Sequence, residues 1–156
     1  MNEDIHDIAE YGTIDEMKKI LIEGVDINSL SEYESTPLHD AISSSNPEMA
    51  LFLLEEGADP SIQDNEGYTA LHLAVLFPNI EIAEKILKKH PQVVNIESEE
   101  WGSPLLQALT ESIEMVELLI EYGANKQDKS ILHHLKAINV EEYNKIFSKE
   151  LKDFVE

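Results

Sequence analysis

Three histidines, His6, His39 and His72, stand 33 residues apart. Imidazole is the side chain that most readily serves as a general base or metal ligand near neutral pH. A second group, His133-His134, is adjacent on a predicted helix, so its two side chains point to different faces and a shared ion is disfavoured. Asp and Glu total 32 and invite an acid–base pair. At that density close pairs arise by chance, and a solvated acidic surface is the expected outcome. DNEG (64–67) begins like a calcium loop but lacks the later ligands and closing glutamate of an EF-hand, so it reads as a hairpin turn. There is no P-loop, dinucleotide glycine pattern or nucleophile elbow. The sequence holds no cysteine, which removes thiolate catalysis and Cys-based zinc sites. No catalytic constellation emerges, and neither a metal nor a cofactor is expected.

The elements that would position these groups are bounded by composition. With 156 residues and 42% apolar side chains, the chain supports one ordinary domain, 1–156, with a real core. Eleven lysines against 32 carboxylates leave a net charge of −21. Such a polyanion is repelled by nucleic-acid phosphates and anionic lipid, so neither nucleic acid nor a membrane surface is an expected partner. The N-terminus, MNEDIHDIAEYG, is acidic and polar where a signal peptide is basic and then apolar. No apolar stretch is long enough to span a bilayer. The default expectation is a cytoplasmic protein.

The sequence repeats itself. STPLHDAI (35–42) recurs as YTALHLAV (68–75) and as GSPLLQAL (102–109). Later in each unit, ILIEGVDI (20–27), LLEEGADP (53–60) and LIEYGANK (119–126) align in the same frame. Thr36, Thr69 and Ser103 are N-cap types, and Pro37 and Pro104 follow at the first helical position, where a missing N–H costs nothing. Helices are predicted over about 38–44, 71–76 and 105–111, each followed after a break by a second helix over about 48–56, 80–89 and 113–122. Gly57 and Gly123 fit the residue after a helix end, where a left-handed backbone is needed. Stacked units of packed helices lie about 10 Å apart. Three histidines in one register therefore cannot converge on a single ion at roughly 2 Å.

TPLH (36–39), TALH (69–72), GAD (57–59) and GAN (123–125), with the 33-residue period, resemble the ankyrin repeat over nearly the whole chain. The resemblance implies an all-α solenoid of about five helix pairs joined by β-hairpin-like loops. The units would be an N-terminal repeat at about 1–30, repeats at about 31–63, 64–97 and 98–128, and a C-terminal capping repeat at 129–156. It also implies that the three in-register histidines bond within and between repeats and hold the turn. Glu34 departs from the pattern, standing where the family has a tip glycine that Gly67 retains, and Trp101-Gly102 shifts that glycine by one. The hairpin between Gly123 and Ser130 is cut to a stub.

Partners of this family usually contact the hairpin tips and the exposed face of the first helix in each pair, a concave strip. Carried over by position, the tips offer Glu32, Tyr33, Glu34, Glu66, Tyr68, Glu99, Glu100 and Trp101. The inner helices offer Tyr11, Asp40, Ser43, Ser44, Leu76, Phe77, Gln107 and Glu111. Tyr and Trp dominate interface energetics, and carboxylates around them accept bidentate hydrogen bonds from arginine. The expectation is a monomeric, non-enzymatic module that binds a protein with a basic patch. Its most concrete form is a bacterial immunity protein or antitoxin that neutralises a toxin. The alternative is a general scaffold or a regulator of an enzyme or transcription factor.

Overall fold

The computed structural model describes residues 4–125. The expected capping unit at 129–156 and the pair His133-His134 lie outside the described residues.

Within 4–125 the chain forms four helix pairs. They are α1 (Ile5–Tyr11) with α2 (Ile14–Ile22), α3 (Pro37–Ser43) with α4 (Pro47–Glu55), α5 (Ala70–Leu76) with α6 (Ile80–Lys89), and α7 (Pro104–Glu111) with α8 (Ile113–Glu121). The bounds of α3 to α8 agree with the sequence expectation to within about a residue. A short 3-10 helix over Pro91–Asn95 was not anticipated. It takes up the extra residue that this unit carries relative to its neighbours.

Local chemistry starts each helix. Thr36, Thr69 and Ser103 cap α3, α5 and α7, and Asn46, Asn79 and Ser112 cap α4, α6 and α8. Thr13 and Glu16 form a reciprocal capping box on α2, with the Thr13 N–H donating to the Glu16 carboxylate at 2.7 Å. Such caps each contribute about 1 kcal/mol. Short helices of seven to ten residues are unstable alone, so packing must hold them.

That packing is repetitive. The first helices of successive pairs touch, α1 to α3 to α5 to α7, and behind them α4 meets α6 and α6 meets α8. Leu38, Leu71 and Leu105 recur at the same position of the inner helices, all essentially inaccessible. Met49, Ile82 and Met115 do the same for the outer row. Each such side chain contributes roughly 1.5–3 kcal/mol by burial. One continuous core runs through all four units.

The tips between pairs are tight turns; the described residues hold no strand, only an isolated bridge between Ser98 and Gly102. Gly67 has φ +82, and a Cβ on it would meet the backbone of Ser98 and Glu99 at 3.3 Å. Glycine there permits both the left-handed turn and the close approach of the next tip. Glu34 occupies the equivalent position of the first tip and adopts the same conformation, φ 57, with a side chain attached. The turn is thus retained without its glycine.

Candidate functional site

The two middle histidines are structural, for a reason visible atom by atom. The Thr36 backbone N–H donates to His39 Nδ1 at 3.2 Å, and the Thr36 hydroxyl lies 2.8 Å from the same nitrogen. Because a backbone N–H can only donate, Nδ1 must be the unprotonated nitrogen. Nε2–H then donates across to the Tyr68 carbonyl of the next unit at 3.1 Å. His72 repeats the arrangement with Thr69 at 3.2 Å and 2.9 Å and with the Gly102 carbonyl at 3.0 Å. Burial lowers the pKa of both rings, only partly offset by those carbonyls. Neutral imidazole is the form that fits.

His6 does not share this role, which corrects the expectation drawn from its register. It is the second residue of α1, whereas His39 and His72 are the third of α3 and α5. Its Nδ1 contacts Asp40 Oδ2 at 2.5 Å, and its Nε2 is buried without a partner. Asp40 Oδ1 accepts from the Ser35 hydroxyl at 2.9 Å, which lies 2.7 Å from the Ser31 hydroxyl. Serine, aspartate and histidine are therefore all present, but both partners sit on the aspartate. No hydroxyl reaches the free imidazole nitrogen, so the arrangement has no base for a serine nucleophile. It ties the first unit to the second. The sequence signal for the difference was Glu3, standing where the other units have Thr36 and Thr69.

Several expected surface residues are accessible. Tyr11 is 81% exposed, Tyr33 63% and Trp101 45%. Glu32, Glu34, Ser43, Glu66, Leu76, Phe77, Glu99, Glu100 and Glu111 are also exposed. Asp40 is half-buried in the contact with His6. Ser44 is half-buried, and its hydroxyl donates to the Asp40 carbonyl at 2.7 Å.

Two residues are not available to a partner. Tyr68 is 6% exposed; its ring meets His72 edge-on, with centroids 5.9 Å apart, and its carbonyl receives the His39 bond. Gln107 is buried on α7, with neither amide atom bonded. A tyrosine beside the tip and a glutamine on a short helix look polar and peripheral in sequence. The stacking of the next unit encloses the first, and the second lies on α7, which packs against both α5 and α8.

The exposed residues fall into neighbourhoods. Glu32, Tyr33 and Asp40 share an open groove of about 850 Å³ with Glu10, Leu30 and Lys19. Phe77 borders a smaller depression of about 370 Å³ with Ile42, Pro47 and Pro78. Trp101 stands on the third tip beside Glu99 and Glu100, its backbone N–H donating to the Ser98 hydroxyl at 3.0 Å.

Charge is segregated. Residues 4–125 hold 25 carboxylates and five lysines, and all five lysines lie on α2 or α6 of the outer row. The inner helices and the tips carry none. Among the described residues no group of three or more His, Asp or Glu side chains could hold a metal ion, and no helix is long and apolar enough to cross a membrane.

A family model for ankyrin repeats matches residues 5–98 in three copies. A Rickettsia felis protein named for its ankyrin repeats is 44% identical over 123 residues, covering 76% of this chain and 40% of that protein. A Danio rerio protein named as a palmitoyltransferase is 37% identical over 124 residues, 78% of this chain and 19% of its own length. The phosphocholine transferase AnkX of Legionella pneumophila is 30% identical over 145 residues, 85% of this chain and 15% of its own. The chain thus spans well under half the length of each of these relatives.

Proposed function

This chain belongs to the ankyrin-repeat family, a family of protein-interaction modules, and on that premise we propose that it is a non-enzymatic module whose inner-helix and tip face engages a basic partner protein. The observation that carries this reading is the segregation of charge. Among the described residues the inner row and tips present Glu32, Glu34, Glu66, Glu99, Glu100 and Glu111 without a single lysine. Exposed aromatics, Tyr11, Tyr33 and Trp101, stand on the same elements. Unpaired carboxylates steer a basic protein into encounter, while aromatic anchors supply the short-range affinity.

The most specific form of the proposal is a bacterial immunity protein or antitoxin that neutralises a toxin, acting in the cytoplasm as a monomer. A net charge of −21 opposes self-association and favours a cationic target. A second form, a scaffold or a regulator of an enzyme or transcription factor, draws support from the relatives, two of which are named as transferases many times longer than the matched region.

The test is capture of partners from the source organism at low salt, followed by mass spectrometry. The expected result is a basic protein, released by raising salt and lost with Trp101→Ala. Capture that is insensitive both to salt and to changes at Tyr33, Glu99, Glu100 and Trp101 counts against the acidic face. Growth rescue when the chain is co-expressed with its captured partner separates the antitoxin form from the scaffold form.

A further inference from the structure

Away from the tips, where each inner helix turns into its outer partner, the chain presents a second acidic row. Asp15, Glu48, Glu81 and Glu114 stand at 33-residue steps, each the second residue of α2, α4, α6 or α8. All four are exposed, and none forms an ion pair among the described residues. A carboxylate in the first turn of a helix is favoured by the helix dipole. At this edge, however, inner helices end where outer helices begin, so opposite dipole ends lie side by side and largely cancel. None of the five described lysines lies in a first turn. What remains is a row of negative charge with a step of about 10 Å, the spacing of packed helices.

An apolar depression of about 370 Å³ lies at this edge between the second and third units, beside Glu48 and Glu81. Its floor holds the buried Ile42 and Ile82, its walls are Pro47, Phe77 and Pro78, and no charged residue lines it. Both units that form it belong to the described chain, and it is built from the loops between paired helices rather than from the tips. The sequence creates it locally. A residue before proline is kept out of the helical region, and Phe77, before Pro78, ends α5 at φ −105, ψ 76. Ser44, one period earlier, ends α3 with a near-helical backbone at φ −80, ψ 2. The Phe77 side chain is left 41% exposed, and Ile113, at the start of α8 on the same edge, is 46% exposed. Exposed apolar side chains gathered within a polar rim mark a contact surface, whereas scattered ones do not.

We propose that this loop edge docks a basic amphipathic helix of a partner protein. One large apolar side chain of that helix enters the depression against Phe77 and Pro47, and two arginines or lysines pair with Glu48 and Glu81. The spacing selects a helix: seven residues of α-helix rise about 10.5 Å, which matches the step between units. Positions i, i+3 and i+7 fall on one helix face. The recognised pattern is therefore a cation, an apolar residue three positions later and a second cation seven positions after the first. The depression lies at the small end of the roughly 300–1,000 Å³ range of binding clefts, which suits a single anchoring side chain. A second copy of this chain is a poor occupant, because two molecules each carrying a net charge of −21 repel. The proposal is independent of the inner-face reading above, since it uses neither Trp101 nor any tip.

The test uses the full chain, labelled with 15N, and a blocked alanine-based helical peptide. The peptide carries two arginines seven residues apart and a leucine three residues after the first. One control moves the arginines to a five-residue spacing, and another replaces them with glutamate. The expected result is that the seven-spaced peptide shifts the amide signals of Ile42, Ser45, Glu48, Phe77 and Glu81, and that both controls bind at least fivefold more weakly. The double change Glu48→Gln and Glu81→Gln weakens binding about tenfold, as the loss of two surface ion pairs would. Phe77→Ala, at an exposed helix end, weakens it by a similar factor, while Trp101→Ala leaves it within about twofold. Absence of binding, equal binding of the five-spaced control, or tolerance of both the glutamate and the Phe77 changes overturns the proposal. So does self-association that broadens the same signals without peptide, since the occupant is then a second copy. Shifts confined to the tips and lost with Trp101→Ala reject the loop edge and keep the inner-face reading. Salt-insensitive capture of partners through the tips rejects only the latter, so the two fail separately.

Discussion

His39 and His72 hold the centre of the molecule, and His6, one period earlier, holds its first unit; the three share a register but not an environment. Each middle ring is locked by a threonine N–H on one nitrogen and a carbonyl of the next unit on the other. The first ring leans on Asp40 and leaves Nε2 unbonded. The middle bonds run forward and define where the next tip sits. The first one closes a chain of two serines and an aspartate at the edge of an open groove. A shared register therefore does not fix the chemistry of a position, which also depends on the cap residue before it and on its place within the helix.

The comparison can be broken first by deletion. Replacing His72 with alanine removes its bonds to Thr69 and to the Gly102 carbonyl, leaves the Thr69 N–H unpaired, and opens a cavity in a fully buried site. A loss of about 3 kcal/mol is expected. The matching His6→Ala removes one contact in a partly accessible site, with an expected loss of about 1 kcal/mol. Urea unfolding of the two variants measures both, and equal losses end the distinction.

Acid sharpens it next. The middle rings have pKa values depressed below the ordinary 6.5 by burial. The unfolded chain then binds protons that the folded chain refuses, so their stabilisation is intact above pH 6.5 and declines as pH falls below it. A proton on Nδ1 would also face the threonine N–H, donor against donor. The stability advantage of the parent protein over a His39→Gln, His72→Gln double variant should shrink progressively from pH 7 to pH 5.5. Comparing the pair cancels the relief of charge repulsion that acid brings to both. A constant difference across that window rules out the neutral-ring assignment.

The smallest effect concerns the tips. Glu34 holds a left-handed backbone at φ 57, where the second tip has Gly67. Glu34→Gly relieves that conformation but adds freedom to the unfolded chain, for a net gain of about 0.5–1 kcal/mol. Thermal unfolding checks it, and a loss of stability would mean that the Glu34 side chain holds the first tip in place.

Much of this was legible beforehand in particular residues. Thr36-Pro37, Thr69 and Ser103-Pro104 announced the starts of three inner helices, and Gly57 and Gly123 the ends of two outer ones. The candidate surface was read less completely. Trp101, Tyr33 and Tyr11 are exposed as expected, whereas Tyr68 and Gln107 are enclosed by neighbouring units. Period arithmetic gives a residue's place in its own repeat, and says nothing about how deeply the adjoining repeat covers it.

The repeat length, the caps, the apolar rows and the acidity follow from the chain alone, because each depends on residue types at short, regular spacing. The different fates of His6, His39 and His72, the burial of Tyr68 and the gathering of the five described lysines on the outer row depended on tertiary structure. Those features arise between units, where bonding and burial are set by the neighbour that packs alongside.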